Sequence, residues 1–373
     1  MYWLYGAYTI SIVMIFLIST TKKTIVIKNK KIKKQYYNPI LIFLYIFPLT
    51  YVAACRDKFW DTSDYRLMYM AVGESIENIF NNITGHVEKG YLFYTMILNK
   101  ISRDSQLLIA VSSTFILFSI CYFLYKESIN VPISFLIFSS TMWMSTMNGL
   151  RQYMVIAALC LIWIKWTKGK QHKRKDLIFI LALLLLTTFH KSILICIPMF
   201  LWARGKLLNK KILLCIICAI LMVLIPPVYN LFFKFLLEGT EYKNYIDTNA
   251  TMGILRFIIS SFPIFLIWLY YCINLKVENN ILDKKNIWMM NLSCLGFAFN
   301  ILALKMVYFA RIGIYFSIFD LIVIPYCIEK CFTKESKKII FILLFIFYMY
   351  FFYVQLGAYG SYVTNFQLFY EVK

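Results

Sequence analysis

Apolar runs of 15 to 22 residues follow one another along the chain, from its first residues to about residue 356, with short polar connections between them. A helix needs about 20 apolar residues to cross a bilayer core. The pattern predicts spans at about 2–20, 39–55, 106–125, 131–147, 150–166, 176–190, 192–203, 212–229, 253–273, 287–304, 307–328 and 339–356. Segments 176–190 and 192–203 are too short to cross singly as straight helices, so that pair reads as two short spans or as one broken or re-entrant arrangement. The largest polar insert runs from Arg56 to Gly90, and the segment "GYLFYTMILNKIS" after it is amphipathic enough to lie in the membrane interface. The predicted fold class is an all-α polytopic integral membrane protein of about 12 transmembrane helices. It forms one membrane domain over 1–373, with an extracytoplasmic loop and interfacial helix at 56–105.

Composition agrees: 61% of the 373 residues are apolar, 18% aromatic and only 15% charged, outside the balance of soluble domains. The net charge of +21 by itself would suit nucleic acid. The lysines instead mark topology. With "TKKTIVIKNKKIKKQ" placed in the cytoplasm and sides alternating from there, the inner connections hold 25 Lys+Arg and the outer side 14, as the positive-inside rule requires. Both ends then face outward, and no nucleic-acid partner is expected. The first run has its lysines after the apolar stretch, unlike a cleavable signal peptide, and reads as a retained helix. Ten cysteines are scattered singly; even Cys215 and Cys218, spaced C-x-x-C, lie inside an apolar run and read as packing residues.

No nucleotide-binding glycine motif, His/Cys metal cluster or G-x-S-x-G elbow appears. The informative residues fall instead on the predicted outer side. The loop after the second span carries Arg56, Asp57, Asp61 and Asp64 and closes on Glu88. Carboxylates and aromatics are the groups that hydrogen-bond and stack on glycans, although loop charges such as Asp57, Asp61, Glu74 and Glu77 also read as simply solvated. Arg151, Lys191, Arg256, Lys305 and Arg311 stand at outer helix mouths, against the positive-inside trend. Such cations pair with a carboxylate, snorkel to the interface or bind an anion, and arginine fits phosphate oxygens in bidentate fashion. Arg151 in "NGLRQY" and Arg311 in "YFARIGIYF" have the small and aromatic neighbours that shape a cavity. His190, in "LTTFHKSIL", falls where two short apolar segments break, and suits a proton acceptor or a donor to phosphate. His86 and His172 read as surface residues. Asp320 is the sole acid deep in a span; it relays protons, or pairs with Arg311 or with a hydroxyl.

In these residues, taken in order, the chain resembles the EpsG family, the Wzy-type polymerases of bacterial exopolysaccharide, capsule and O-antigen. The resemblance rests on an acidic loop with Arg56, Asp61, Asp64 and Tyr65, then "EKGY" (Glu88 to Tyr91), "LRQY" (Leu150 to Tyr153), "FHKS" (Phe189 to Ser192) and "RIGIYF" (Arg311 to Phe316), and spans about 50 to 320. It implies a GT-C-like helical fold and a membrane glycosyltransferase, metal-independent and without cofactor. It further implies a bacterial plasma-membrane location with the site facing outward. Substrates would be oligosaccharide repeat units on undecaprenyl pyrophosphate, with membrane lipid, a flippase and a chain-length regulator as partners. In this reading Arg151 and Arg311, with Arg256 and Lys191, meet the pyrophosphate. Asp64, Glu88 and His190 are the candidate bases, and Arg56, Asp61, Tyr65, Gln152, Tyr153 and Tyr315 meet the glycan.

Three other functions fit parts of the pattern. A GT-C glycosyltransferase with a lipid-phosphate donor would use Asp57, Asp61 and Asp64 for a metal or base. A lipid-linked oligosaccharide flippase should show internal repeats and charges spread through its helices. An O-acyltransferase should pair its histidine with an acid facing the cytoplasm or a tunnel. Clustering of ionisable residues on one face favours the polymerase.

Overall fold

The computed structural model describes residues 1–27, 32–80, 87–169, 173–225, 227, 252–274 and 284–371. Helices dominate and form two compact units, Met1–Lys191 with Lys334–Lys373, and Ser192–Thr333. Among the described residues, four helices can cross a membrane by length and composition: Tyr2–Thr20, Gln106–Glu127, Ile254–Ile273 and Lys334–Ala358. The bent pair Tyr308–Ser317 and Asp320–Cys331 makes a fifth if taken as one span. Other expected spans are apolar helices of 10–17 residues, among them Pro39–Cys55, which keeps its expected bounds, Val131–Thr141 and Ile193–Trp202.

Two expected spans are corrected in detail. The run 131–147 is interrupted at Met142, giving Val131–Thr141 and Trp143–Met147. The run 307–328 bends by 52° at Ile318–Phe319. Asp320 then sits in the first turn of the second half, where a carboxylate suits the positive end of a helix. The all-α expectation is also modified, because Lys23–Ile27 and Ile32–Tyr36 pair as an antiparallel hairpin within the lysine-rich connection. Its first strand reads "KTIVI", whose β-branched run favours extended backbone. The expectations for His86 and His172, the end of span 212–229 and the lysine-bearing connection 276–283 lie outside the described residues.

In the first unit, α1 (Tyr2–Thr20) lies against α2 (Pro39–Cys55). The Asn38 side chain starts α2 by accepting the Ile40 N–H at 2.9 Å, and Pro39 supplies a first-turn residue that needs no hydrogen-bond acceptor. Tyr45 of α2 stacks on Phe135 at 4.3 Å and donates its hydroxyl to that residue's carbonyl at 2.8 Å. Tyr8 stacks on Phe352 at 3.6 Å and shares a hydrogen bond with Ser140 at 2.7 Å. An aromatic face with one satisfied polar tip suits a helix interface in lipid, where packing and interhelical hydrogen bonds replace the hydrophobic drive.

The second unit packs Lys284–Leu302 against Tyr308–Ser317 through two glycines. A Cβ on Gly313 would stand 2.9 Å from Asn300 Oδ1, and one on Gly296 3.1 Å from Phe316 Cβ, so a side chain at either position would force its neighbour to shift. Asp320 accepts a hydrogen bond from the Ser293 hydroxyl, so of its anticipated partners a hydroxyl is present.

The acidic loop leaves α2 through a short strand, Arg56–Lys58, paired antiparallel with Gln367–Leu368 near the other end of the chain. Arg56 anchors it. Its guanidinium is fully buried and donates to the Ala53 carbonyl, Thr62 Oγ1 (3.0 Å), Ser113 Oγ (2.8 Å) and the Met147 carbonyl (3.2 Å). Arg66 adds a second tie, with Asp57 at 3.5 Å and Ser105 Oγ at 3.0 Å. Because Arg56→Ala would strip several buried acceptors of their donor, we predict a loss of about 3 kcal/mol or more in stability. A clear fall in the thermal unfolding temperature of the detergent-purified protein, with or without glycan present, checks this.

Candidate functional site

Helix α5 (Lys89–Ile101) begins at Glu88, an N-cap position whose carboxylate normally accepts from its own helix. Here it does not. Glu88 is 9% exposed and turned away from α5, and each of its oxygens has a partner elsewhere. Oε2 accepts a hydrogen bond from Arg151 Nη1 within an ion pair. Oε1 accepts from the Lys191 backbone N–H at 2.9 Å. His190 Nδ1 stands 3.4 Å from the same oxygen, an ion-pair distance once the ring is protonated but without hydrogen-bond alignment.

Local sequence places each partner. After α10 (Lys173–Leu186), a turn closes with the Thr188 N–H on the Leu185 carbonyl and the His190 N–H on the Leu186 carbonyl, each at 3.1 Å. The turn then lies against the start of α5. A Cβ on Gly90 would meet Thr188 Oγ1 at 2.2 Å and the Thr188 carbonyl oxygen at 2.8 Å, so no other residue fits. That closeness lets the Tyr91 N–H donate to the Thr188 carbonyl at 3.2 Å. Arg151 comes from the first turn of α9 (Leu150–Trp166), which Gly149 enters in the left-handed region, φ 57° and ψ 44°. A cation there opposes the helix dipole, and the Glu88 carboxylate offsets the conflict.

Electrostatics follow from the geometry. Burial pushes the Glu88 carboxyl up, but His190, the Lys191 N–H and the Arg151 charge outweigh it and hold the group at about 2. Glu88 is thus an ionised anchor with both oxygens engaged. Around it, Arg151 lies over the Tyr91 ring at 5.9 Å, and Tyr91 meets Tyr65 and Phe189 edge-on at 6.3 and 6.5 Å. The Tyr91 hydroxyl is buried without a hydrogen-bond partner. Beside this cluster a cavity of about 460 Å³ is lined by Asp61, Asp64, Tyr65, Val87 and Arg151 among others.

Six of the anticipated residues therefore gather in one cluster beside the cavity: Asp61, Asp64, Tyr65, Glu88, Arg151 and His190. Lys191 joins them through its backbone N–H, while its side chain is exposed. Arg56 is buried in the tie described above. Gln152 and Tyr153 are buried at 5% and 3% exposure. Asp57 pairs with Arg66. Arg256, Arg311 and Tyr315 belong to the other unit, where Arg256 and Arg311 are exposed, Arg311 lies 5.3 Å over the Tyr308 ring, and the Tyr315 hydroxyl shares a hydrogen bond with Ser192 at 3.0 Å. Sequence reasoning missed the Gly90–Thr188 approach, although glycine in "EKGY" at a helix start was the available signal. The unpartnered Tyr91 hydroxyl had no such signal.

Two outcomes are expected. Gly90→Ala should separate α5 from the 187–191 turn and abolish function while Arg151 and Glu88 remain in the chain, as a complementation assay would show. Glu88 is held below the usual carboxylate value of 4.5, so the stability it contributes is full above about pH 5 and is lost as pH falls toward 2. On the order of 3 kcal/mol is involved. Acid titration of thermal stability should show this loss in the wild type and a flatter profile in Glu88→Gln.

Against known families, the chain matches the model of the EpsG family over residues 39–369. No curated protein and no solved structure matches it.

Proposed function

The chain belongs to the EpsG family, and on that premise we propose that this membrane protein is a glycosyltransferase that polymerises lipid-linked oligosaccharide repeat units into exopolysaccharide, capsule or O-antigen. In this reading the carrier is undecaprenyl pyrophosphate and the reaction takes place at the outer leaflet of the bacterial plasma membrane. The observation that carries the reading is the shared cavity wall, where Arg151, tied back to Glu88, lies with Asp61 and Asp64.

Each role follows from chemistry. Transfer breaks the bond between the anomeric carbon and the carrier's pyrophosphate oxygen, and forms one from that carbon to an acceptor hydroxyl. Asp64, exposed on the cavity wall, takes the hydroxyl proton. Arg151 offsets charge on the departing pyrophosphate, since a guanidinium keeps further N–H donors after meeting one carboxylate oxygen. Glu88 is a poor proton acceptor, because its carboxyl is held at about 2 and both of its oxygens are engaged; it fixes the aim of Arg151. With Nδ1 of His190 facing Glu88, Nε2 is the nitrogen left to meet a phosphate oxygen. Tyr65 and Asp61 meet the sugars.

The test is a gel of lipid-linked and surface glycans from cells lacking the protein, complemented with wild type or Arg151→Ala. Single repeat units should accumulate in the deletion, and only wild type should restore long chains. Arg151→Lys, which keeps charge but loses the fork, should restore a minor fraction. Normal chain lengths with Arg151→Ala overturn the assignment of this residue; failure to assemble a complete repeat unit in the deletion overturns the polymerase reading.

A further inference from the structure

Trp60 lies in the left-handed region, φ 48°, which L side chains rarely adopt and glycine accepts freely. Its surroundings impose that conformation. On one side Phe59 is buried against Phe366 at 5.8 Å and Tyr359 at 5.7 Å; on the other Thr62 is buried in the Arg56 tie. Strain of this kind persists where neighbours over-determine it, and it gathers at functional sites. What the chain gains is the indole. It stands 37% exposed, stacked on Tyr362 at 4.7 Å and 18°, with Tyr359 edge-on at 5.7 Å and 88°. Tyr362 is 46% exposed and enters its short helix from Gly360, itself left-handed at φ 50°. Two segments far apart in sequence thus each use a left-handed residue to present one half of an exposed ring pair.

We propose that Trp60 and Tyr362 form a stacking platform for a pyranose ring of the glycan, a subsite beside the cavity lined by Asp61 and Arg151. The C–H face of a pyranose is weakly positive and meets the negative face of an aromatic ring, while sugar hydroxyls need acceptors at the rim. Asp61 supplies one. Its Cα is about 3.8 Å from that of Trp60, and its side chain lines the cavity. One peptide bond thus separates the ring pair from a residue of the cavity wall. The platform sets how firmly an elongating chain is held between transfers, so it governs product length more than single transfers. The glycan's identity rests on the polymerase reading; the stacking does not.

Trp60→Gly is the decisive variant, because glycine keeps the backbone conformation and removes only the ring. Tyr362→Leu removes the other ring, and Trp60→Phe keeps a stacking face. The detergent-purified full chain would be titrated calorimetrically with lipid-free oligosaccharide released by mild acid from the cell's own surface glycan. Trp60→Gly and Tyr362→Leu should each weaken binding about tenfold with thermal stability retained, Trp60→Phe should stay near wild type, and the glycine variant should shorten polymer in cells. Equal affinity of wild type and Trp60→Gly overturns the proposal, as does a wild type that binds no glycan. A fall in stability at unchanged affinity also overturns it and assigns the rings to anchoring at the membrane interface. Binding is read without turnover, and the glycan gel separates the two failures: a wild type that restores long chains in cells but binds no glycan overturns the platform and leaves the polymerase reading standing.

Discussion

Burying the Glu88 carboxylate is the constraint on which the site depends. A carboxylate withdrawn from water costs several kcal/mol unless its oxygens are met by charge and by donors. Those partners come from two places in sequence: the first turn of α9, and the turn after α10, which gives a backbone N–H and the imidazole beside it. One side chain thereby fixes the mutual position of the acidic loop's end, a helix start and a tight turn. Removing any partner leaves the others facing an uncompensated charge, so the group holds or fails together. The same ion pair resolves the placement of Arg151, a cation at a helix end that by itself would repel it.

The outline of this arrangement was legible in sequence because charge is scarce in an apolar chain. With so few ionisable groups, a glutamate before "KGY", an arginine in "LRQY" and a histidine between two short apolar runs stand out, and the structure brings all three together. Direction was less legible. Arg56 and Arg151 look alike in sequence, yet one is enclosed by four acceptors and the other lines a cavity. Lys191 was visible as a cation and contributes an amide instead, a distinction that depends on backbone geometry. Helix lengths depart from the hydropathy reading at Met142 and near Phe319, because hydropathy averages over a break. The strand pairing of Arg56–Lys58 with Gln367–Leu368 joins segments too distant for any local pattern to announce.

The two units use polarity differently. The first concentrates buried charge at one end of its helices and otherwise satisfies hydroxyls pairwise, as with Tyr8 and Ser140 or Tyr45 and the Phe135 carbonyl. The second relies on close backbone approach at Gly296 and Gly313 and on the Ser293–Asp320 contact at a helix bend. Small residues admit tight packing there, and the half-buried Asp320 meets a hydroxyl donor at the bend.

The pairing of β3, Arg56–Lys58, with a strand near the end of the chain also fixes an order of events during synthesis. Chains fold from the N-terminal side as they emerge, and contacts between distant segments form late. The acidic loop therefore leaves the ribosome long before Gln367–Leu368 exists to pair with it, and before Tyr362 exists to cover Trp60. Until the last helix is in place, the loop lacks its edge strand and half of its ring pair. The loop that carries Asp61 and Asp64 is therefore the first part of the site to be made and the last to be held in place.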